Sequence, residues 1–137
     1  MTGSAIGYLE LFHKLCGDES LKNVVLVTSW WESTGEVEGR RREEELEHRY
    51  WVPLLALGAR SRRHYNTVES AQELVLSMVE HSPVPVKLQT ELAKGKKLAD
   101  TQAGALVNAS LHKVIKKQKA ELAELKRSMQ SAIDRGM

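Results

Sequence analysis

Apolar residues recur at helical spacing through most of the chain and run together without alternation only once. From Ser4 to Leu15, the positions Leu9, Phe12 and Leu15 repeat in three-residue steps with Tyr8 and Leu11 beside them. That pattern predicts a short amphipathic helix. Cys16-Gly17-Asp18 stops it, with Gly17 suited to a left-handed cap. The run without alternation is Asn23-Val24-Val25-Leu26-Val27-Thr28-Ser29, four apolar residues, three of them β-branched, between polar flanks. Such a run suits a strand covered on both faces, as in a parallel sheet between helices.

A polar stretch from Glu32 to Gly39 precedes a predicted helix over Arg40 to Leu57. Its opening turns carry three arginines and three glutamates, and Leu46, Tyr50 and Leu54 make one face, with Trp51 and Leu55 adjoining. Pro53 should break or kink it near Trp51, because proline lacks the N–H and its ring clashes with the preceding turn. Gly58 ends it, and Ala59 to Tyr65 reads as a second strand that Arg60, Arg62 and Arg63 make unlike a central one. Thr67 is placed to cap a helix through Ser70, Val75 and Val79 that ends near His81.

Pro83-Val84-Pro85 cannot lie inside a helix, and composition shifts there. Up to Thr90 there are ten Lys and Arg against thirteen Asp and Glu, and beyond it ten against five. The expected division is therefore 1–82 and 83–137. Pro85 can open a final helix, with Leu88, Leu92, Ala99, Ala103 and Leu106 in three- and four-residue steps. Ile115, Gln118, Leu122, Leu125, Met129 and Ala132 then form a heptad seam of about two and a half repeats. It serves either a helical partner, a second copy included, or docking on the chain's own domain.

Composition narrows the class without naming a function. The 137 residues are 42% hydrophobic and 28% charged, and the single Cys16 can make no internal disulfide, so a soluble, cytoplasmic domain is the default expectation. No apolar run is long enough to span a bilayer, and a net charge of +2 gives no reason to expect DNA.

Several stretches, in order, resemble the fungal P-loop GTPase-like (G-domain) proteins. They are Leu15-Cys16-Gly17-Asp18, Leu21 to Thr28, Gly39 to Trp51, Asn66-Thr67-Val68-Glu69-Ser70-Ala71, Leu88-Gln89-Thr90-Glu91, and Leu98 to Gly104 with the Lys/Glu-rich helix behind it. The resemblance implies an α/β fold: a partial P-loop NTPase-type parallel sheet of about two strands with flanking helices, followed by a long C-terminal helix. It implies GTP or GDP as the ligand, met by Ser29-Trp30-Trp31-Glu32 where the family carries Asn/Thr-Lys-x-Asp. Glu32 would supply the carboxylate for the guanine edge, and Trp30 or Trp31 would stack on the base. Asn66-Thr67 would fall on the second base-contacting loop. The alternatives are that both tryptophans pack on the helix Arg40 to Leu57 and that Thr67 is a plain helix cap.

Phosphate binding in that family needs G-x-x-x-x-G-K-[ST] between a strand and a helix. The chain holds no such sequence; Gly95-Lys96-Lys97 comes nearest and is expected inside a helix. The implied protein is a truncated or degenerate guanine-nucleotide-binding protein without GTPase activity of its own, and no catalytic residue is assigned. Among the histidines, no pair has the i, i+4 spacing of a helical metal site, so no metal is expected. Cys16 reads as buried and structural, Arg60 to Tyr65 as a charged edge strand, and Lys113 to Lys119 as a solvated helix face.

Overall fold

The computed structural model describes residues 3–136; Met1, Thr2 and Met137, at the ends of the two expected segments, lie outside the described residues. Helix α1 spans Gly3–Cys16 and turns its Leu9, Phe12 and Cys16 side inward. Gly17 ends it at φ +74°, donating its N–H to the His13 carbonyl at 2.8 Å. A Cβ on Gly17 would stand 2.6 Å from Cβ of Lys87, so the missing side chain is also what lets the later chain approach. Ser20 is buried in a 3₁₀ segment, Glu19–Asn23, and donates its hydroxyl to the Cys16 carbonyl at 2.7 Å. Leu21, fully buried, joins Cys16, Leu54 and Ala59 in the core, with Val24, Leu26 and Leu55 packed round them.

Strand β1 is Val25–Thr28 and β2 is Arg60–Arg63; they pair in parallel with Val25 opposite Arg60 and Thr28 opposite Arg63. The predicted parallel pair is therefore present, but the fold as a whole is mostly helical, with 75% of it in helix. The expectation of a strand covered on both faces is corrected: every residue of β1 keeps some exposure and Val27 is exposed. A ladder of two strands has too little surface for helices to cover both sides; Val24 and Leu26 meet the core while Val27 borders an open cleft.

Between the strands the polar stretch Glu32 to Gly39 is helical apart from Gly35, so helix begins before Arg40, where it was expected to start. Helix α2, Trp31–Thr34, and α3, Glu36–Glu45, are separated by Gly35 at φ +83°. Helix α3 runs into a wider π-type turn, Leu46–Tyr50, in which Trp51 N–H reaches back to the Leu46 carbonyl at 2.7 Å. Pro53 explains the break, since it sits in the first turn of the next helix, α4, Val52–Ala56, where its absent N–H costs nothing. Trp51 and Leu54 are buried. Helix α5, Val68–Val79, follows β2 and is capped by Thr67, whose Oγ1 accepts from Ser70 N–H at 3.1 Å.

The final helix is not continuous from Pro85, which corrects a second expectation. Helix α6 is only Lys87–Ala93, Gly95 turns at φ +89°, and after a 3₁₀ turn at Leu98–Asp100 helix α7 runs Gln102–Gly136. Gly95-Lys96-Lys97 thus lies in a turn. Thr101, fully buried, starts α7: its Oγ1 donates to the Leu98 carbonyl at 2.7 Å and accepts from Gly104 N–H at 3.0 Å. The buried Glu91 carboxylate accepts from Gln102 N–H at 3.1 Å, placing negative charge at the positive end of the helix. Helix α1 packs on both α6 and the first turns of α7. A Cβ on Gly104 would sit 1.9 Å from the Leu98 carbonyl oxygen. Alanine normally favours a helix over glycine by about 1 kcal/mol. Here Gly104→Ala is expected instead to destabilise the protein by about 3 kcal/mol in urea unfolding, because backbone has to move; a stabilised variant would show that the contact is absent.

Candidate functional site

The carboxyl ends of parallel strands are where open α/β sheets place ligands. Here both strands end in a residue with a left-handed backbone: Trp30 at φ 68° two residues beyond β1, and Asn66 at φ 58° three residues beyond β2. Asn tolerates that conformation readily, but a tryptophan there is held by its surroundings. The Trp30 carbonyl accepts from Ser33 and Thr34 N–H groups at 3.2 and 3.1 Å, closing the turn that starts α2. His64 N–H donates to the Thr28 carbonyl at 2.8 Å, which ties the two strand ends together.

Four of the six residues expected at a ligand site converge on this end. Ser29, Trp30, Glu32 and Asn66 line a shallow depression of about 210 Å³, with His64 as a fifth wall. Trp30 is 70% exposed, so its ring is open to a flat ligand. His64 is oriented from behind, its Nδ1 lying 3.1 Å from Ser70 Oγ. No Lys or Arg lines the depression, so it offers a carboxylate, an amide, a hydroxyl and an indole face but no cation for a phosphate. Its volume is below the 300–1,000 Å³ of ordinary small-molecule sites.

The other two expected residues face elsewhere. Thr67 is occupied as the α5 cap. Trp31 is buried, its indole N–H donating to Thr28 Oγ1 at 3.0 Å and its ring lying on α3, where a Cβ on Gly39 would come 2.6 Å from Cζ3. The Arg63 guanidinium sits over the ring at 3.8 Å, and Tyr65 meets it at a 49° tilt. Of the two tryptophans, then, Trp31 packs on the helix and Trp30 stands free.

Arg63 ties this region together. It forks onto Glu43 through Nε at 2.8 Å and Nη2 at 2.7 Å, and its Nη1 reaches Glu36 at 3.2 Å and Tyr65 Oη at 3.4 Å. Glu43 and Tyr65 are the main reasons the guanidinium is held even more firmly protonated than usual. Glu36 is lowered by Arg63 and then by Arg40, and Glu38, bonded by Arg41 and Arg42, is pulled down to about 2. Sequence reasoning named the arginines of the second strand and the Arg/Glu run of the preceding helix separately, as a charged edge and a helix start, and did not join them.

Elsewhere, burial raises the Cys16 thiol above its ordinary range, partly offset by Ser20, so the sulfur is a protonated core group. Among the described residues no three His, Cys, Asp or Glu side chains are placed to hold a metal ion, and no helix is long and apolar enough to cross a membrane. No protein family, curated protein or solved structure matches the chain.

Removing one partner of a half-buried bidentate pair that also covers an aromatic ring is costly. Arg63→Ala is expected to lower unfolding free energy by about 2 kcal/mol, and Arg63→Lys to recover less than half of it, because an ammonium cannot fork onto the carboxylate. Urea melts followed by tryptophan fluorescence measure both; an unchanged midpoint in Arg63→Ala would contradict the clamp.

Proposed function

We propose that the chain is an interaction module that presents α7 to a helical partner. The observation that carries this reading is that every residue from Ala109 to Gly136 is exposed. Those residues extend about 42 Å at 1.5 Å per residue. Along them Leu111, Ile115, Leu122, Leu125 and Met129 stand between 39% and 57% exposed on one stripe. Isolated surface apolar residues need no explanation, but a continuous stripe on the fully exposed part of a long helix calls for a cover. Leu111 adds a step of four before Ile115 and lengthens the seam to roughly three heptads. The helix is supported locally by a Lys117–Glu121 pair at 3.9 Å and a Gln130–Asp134 hydrogen bond at 2.9 Å, which are weak supports for so long an element.

Leu122→Glu together with Leu125→Glu distinguishes docking outward from docking back on the head. Outward docking predicts that the melt of the head, followed by its tryptophans, shifts by less than about 0.5 kcal/mol, as for other surface changes. A loss of about 2 kcal/mol or more would mean that the seam packs on its own domain.

The strand-end depression supports a second reading: a weak contact with a purine base of GTP or GDP, without hydrolysis. It rests on the convergence of Ser29, Trp30, Glu32 and Asn66. The chain lacks the phosphate loop on which positioning and charge neutralisation depend. Titration with GTP or GDP is expected to quench fluorescence in the millimolar range, to lose that quench in Trp30→Phe, and to release no phosphate. Equal quenching in the variant and the parent removes this reading.

A further inference from the structure

The seam leaves open which helix covers it, and the charges beside it narrow the choice. With Ile115, Leu122 and Met129 as first core positions and Leu111, Gln118, Leu125 and Ala132 as second ones, the flanking positions are fixed. Glu121 precedes the core on one side, and Lys119 and Lys126 follow it on the other. All three belong to the exposed part of α7. We infer that the partner is a second copy of this chain, and that two α7 helices pair in parallel and in register over Leu111 to Ala132. The inference rests on the docking reading above.

Orientation follows from which flanks meet. In a parallel pair, each flanking residue before the core meets the one five positions later in the partner. Glu121 then faces Lys126 of the second copy, twice by symmetry. In an antiparallel pair, like flanks meet, and the layers that bring Leu122 onto Leu125 also bring Lys119 against Lys126, again twice. One arrangement has two attractions and the other two repulsions, from the same residues. The Lys117 ammonium, 3.9 Å from Glu121 and four residues before it, lies on the outer surface and does not block the partner. Of the first core positions only Ile115 is β-branched, which favours two strands over three or four without choosing their direction; direction is read from the flanking charges and from Gln118. The parallel register sets Gln118 against Gln118, amide to amide, whereas the antiparallel one sets it against Met129. Towards the head, Asn108 is half-buried beside α1 and α6, so the contact starts at Leu111.

Sedimentation equilibrium of the full chain, with Lys126→Glu and a cysteine probe, tests this. The parent is expected to be a dimer. Lys126→Glu is expected to weaken it about tenfold, since it sets Glu121 against a glutamate in both pairs, and adding Glu121→Lys is expected to restore it. An antiparallel pair responds in the opposite sense, because Lys126→Glu would relieve the Lys119 repulsion and tighten it. In Cys16→Ala, Ala132→Cys, air oxidation is expected to give a covalent dimer. Antiparallel helices would hold those sulfurs about 25 Å apart. A dimer that tightens in Lys126→Glu, or that fails to cross-link, overturns the parallel register. A chain that stays monomeric while the head ignores Leu122→Glu and Leu125→Glu overturns the second copy alone and leaves outward docking intact. A head that melts earlier in that double variant overturns both.

Discussion

The Arg63 guanidinium is the tie on which the head of this protein depends. Two parallel strands of four residues have few ladder bonds and two open edges, and such a ladder needs support from outside itself. Arg63 ends β2, forks onto Glu43 in α3, and lies on the Trp31 ring that opens α2. One side chain thus joins the second strand to the first two of the three helices, α2 and α3, in the crossover from the first. The planar fork suits both a carboxylate and an aromatic face at once. The same contact turns Trp31 inward, which leaves Trp30, in its left-handed turn, as the indole facing solvent at the strand ends.

The second junction is where α7 leaves the head. Thr101 and Glu91 satisfy backbone N–H groups of the first turn of α7, and Lys96 stands 3.8 Å from the other oxygen of that carboxylate. With its beginning capped and packed on α1, the helix needs no further contact to be started, because the costly nucleus of helix formation is already in place. The remaining length is free to present side chains.

How much of this was legible in the sequence depended on whether local chemistry or tertiary contact decided each position. Gly17, Gly58, Thr67 and Pro53 act through their own backbone or hydroxyl, and each stands where its chemistry points. The apolar run Val24 to Val27 revealed a parallel strand, but whether anything covered its second face depended on how many neighbours the sheet had. The stretch Glu32 to Gly39 read only as polar and was assigned no element because its apolar residues are few; Trp31 packed on Gly39, together with the Glu36–Arg40 and Glu38–Arg42 pairs, makes it helical. The break between α6 and α7 was signalled by Gly95 and by Thr101 but was hidden by apolar spacing that carries through it. At the strand ends, Ser29, Trp30, Glu32 and Asn66 were named only through the family resemblance; the fold brings them to one rim with His64, which the β2 register places there and which sequence reasoning did not assign to that rim.

The passage of Gly104 under the Leu98 carbonyl has a consequence for how the stalk can change. Its exit angle is set by main chain lying against main chain at the base, and by a threonine and a glutamate no longer exposed to solvent. The outward surface takes no part in setting that angle. Substitutions along the exposed part of α7 can therefore change the side chains it carries without altering where it points, so its direction and its surface chemistry can drift separately.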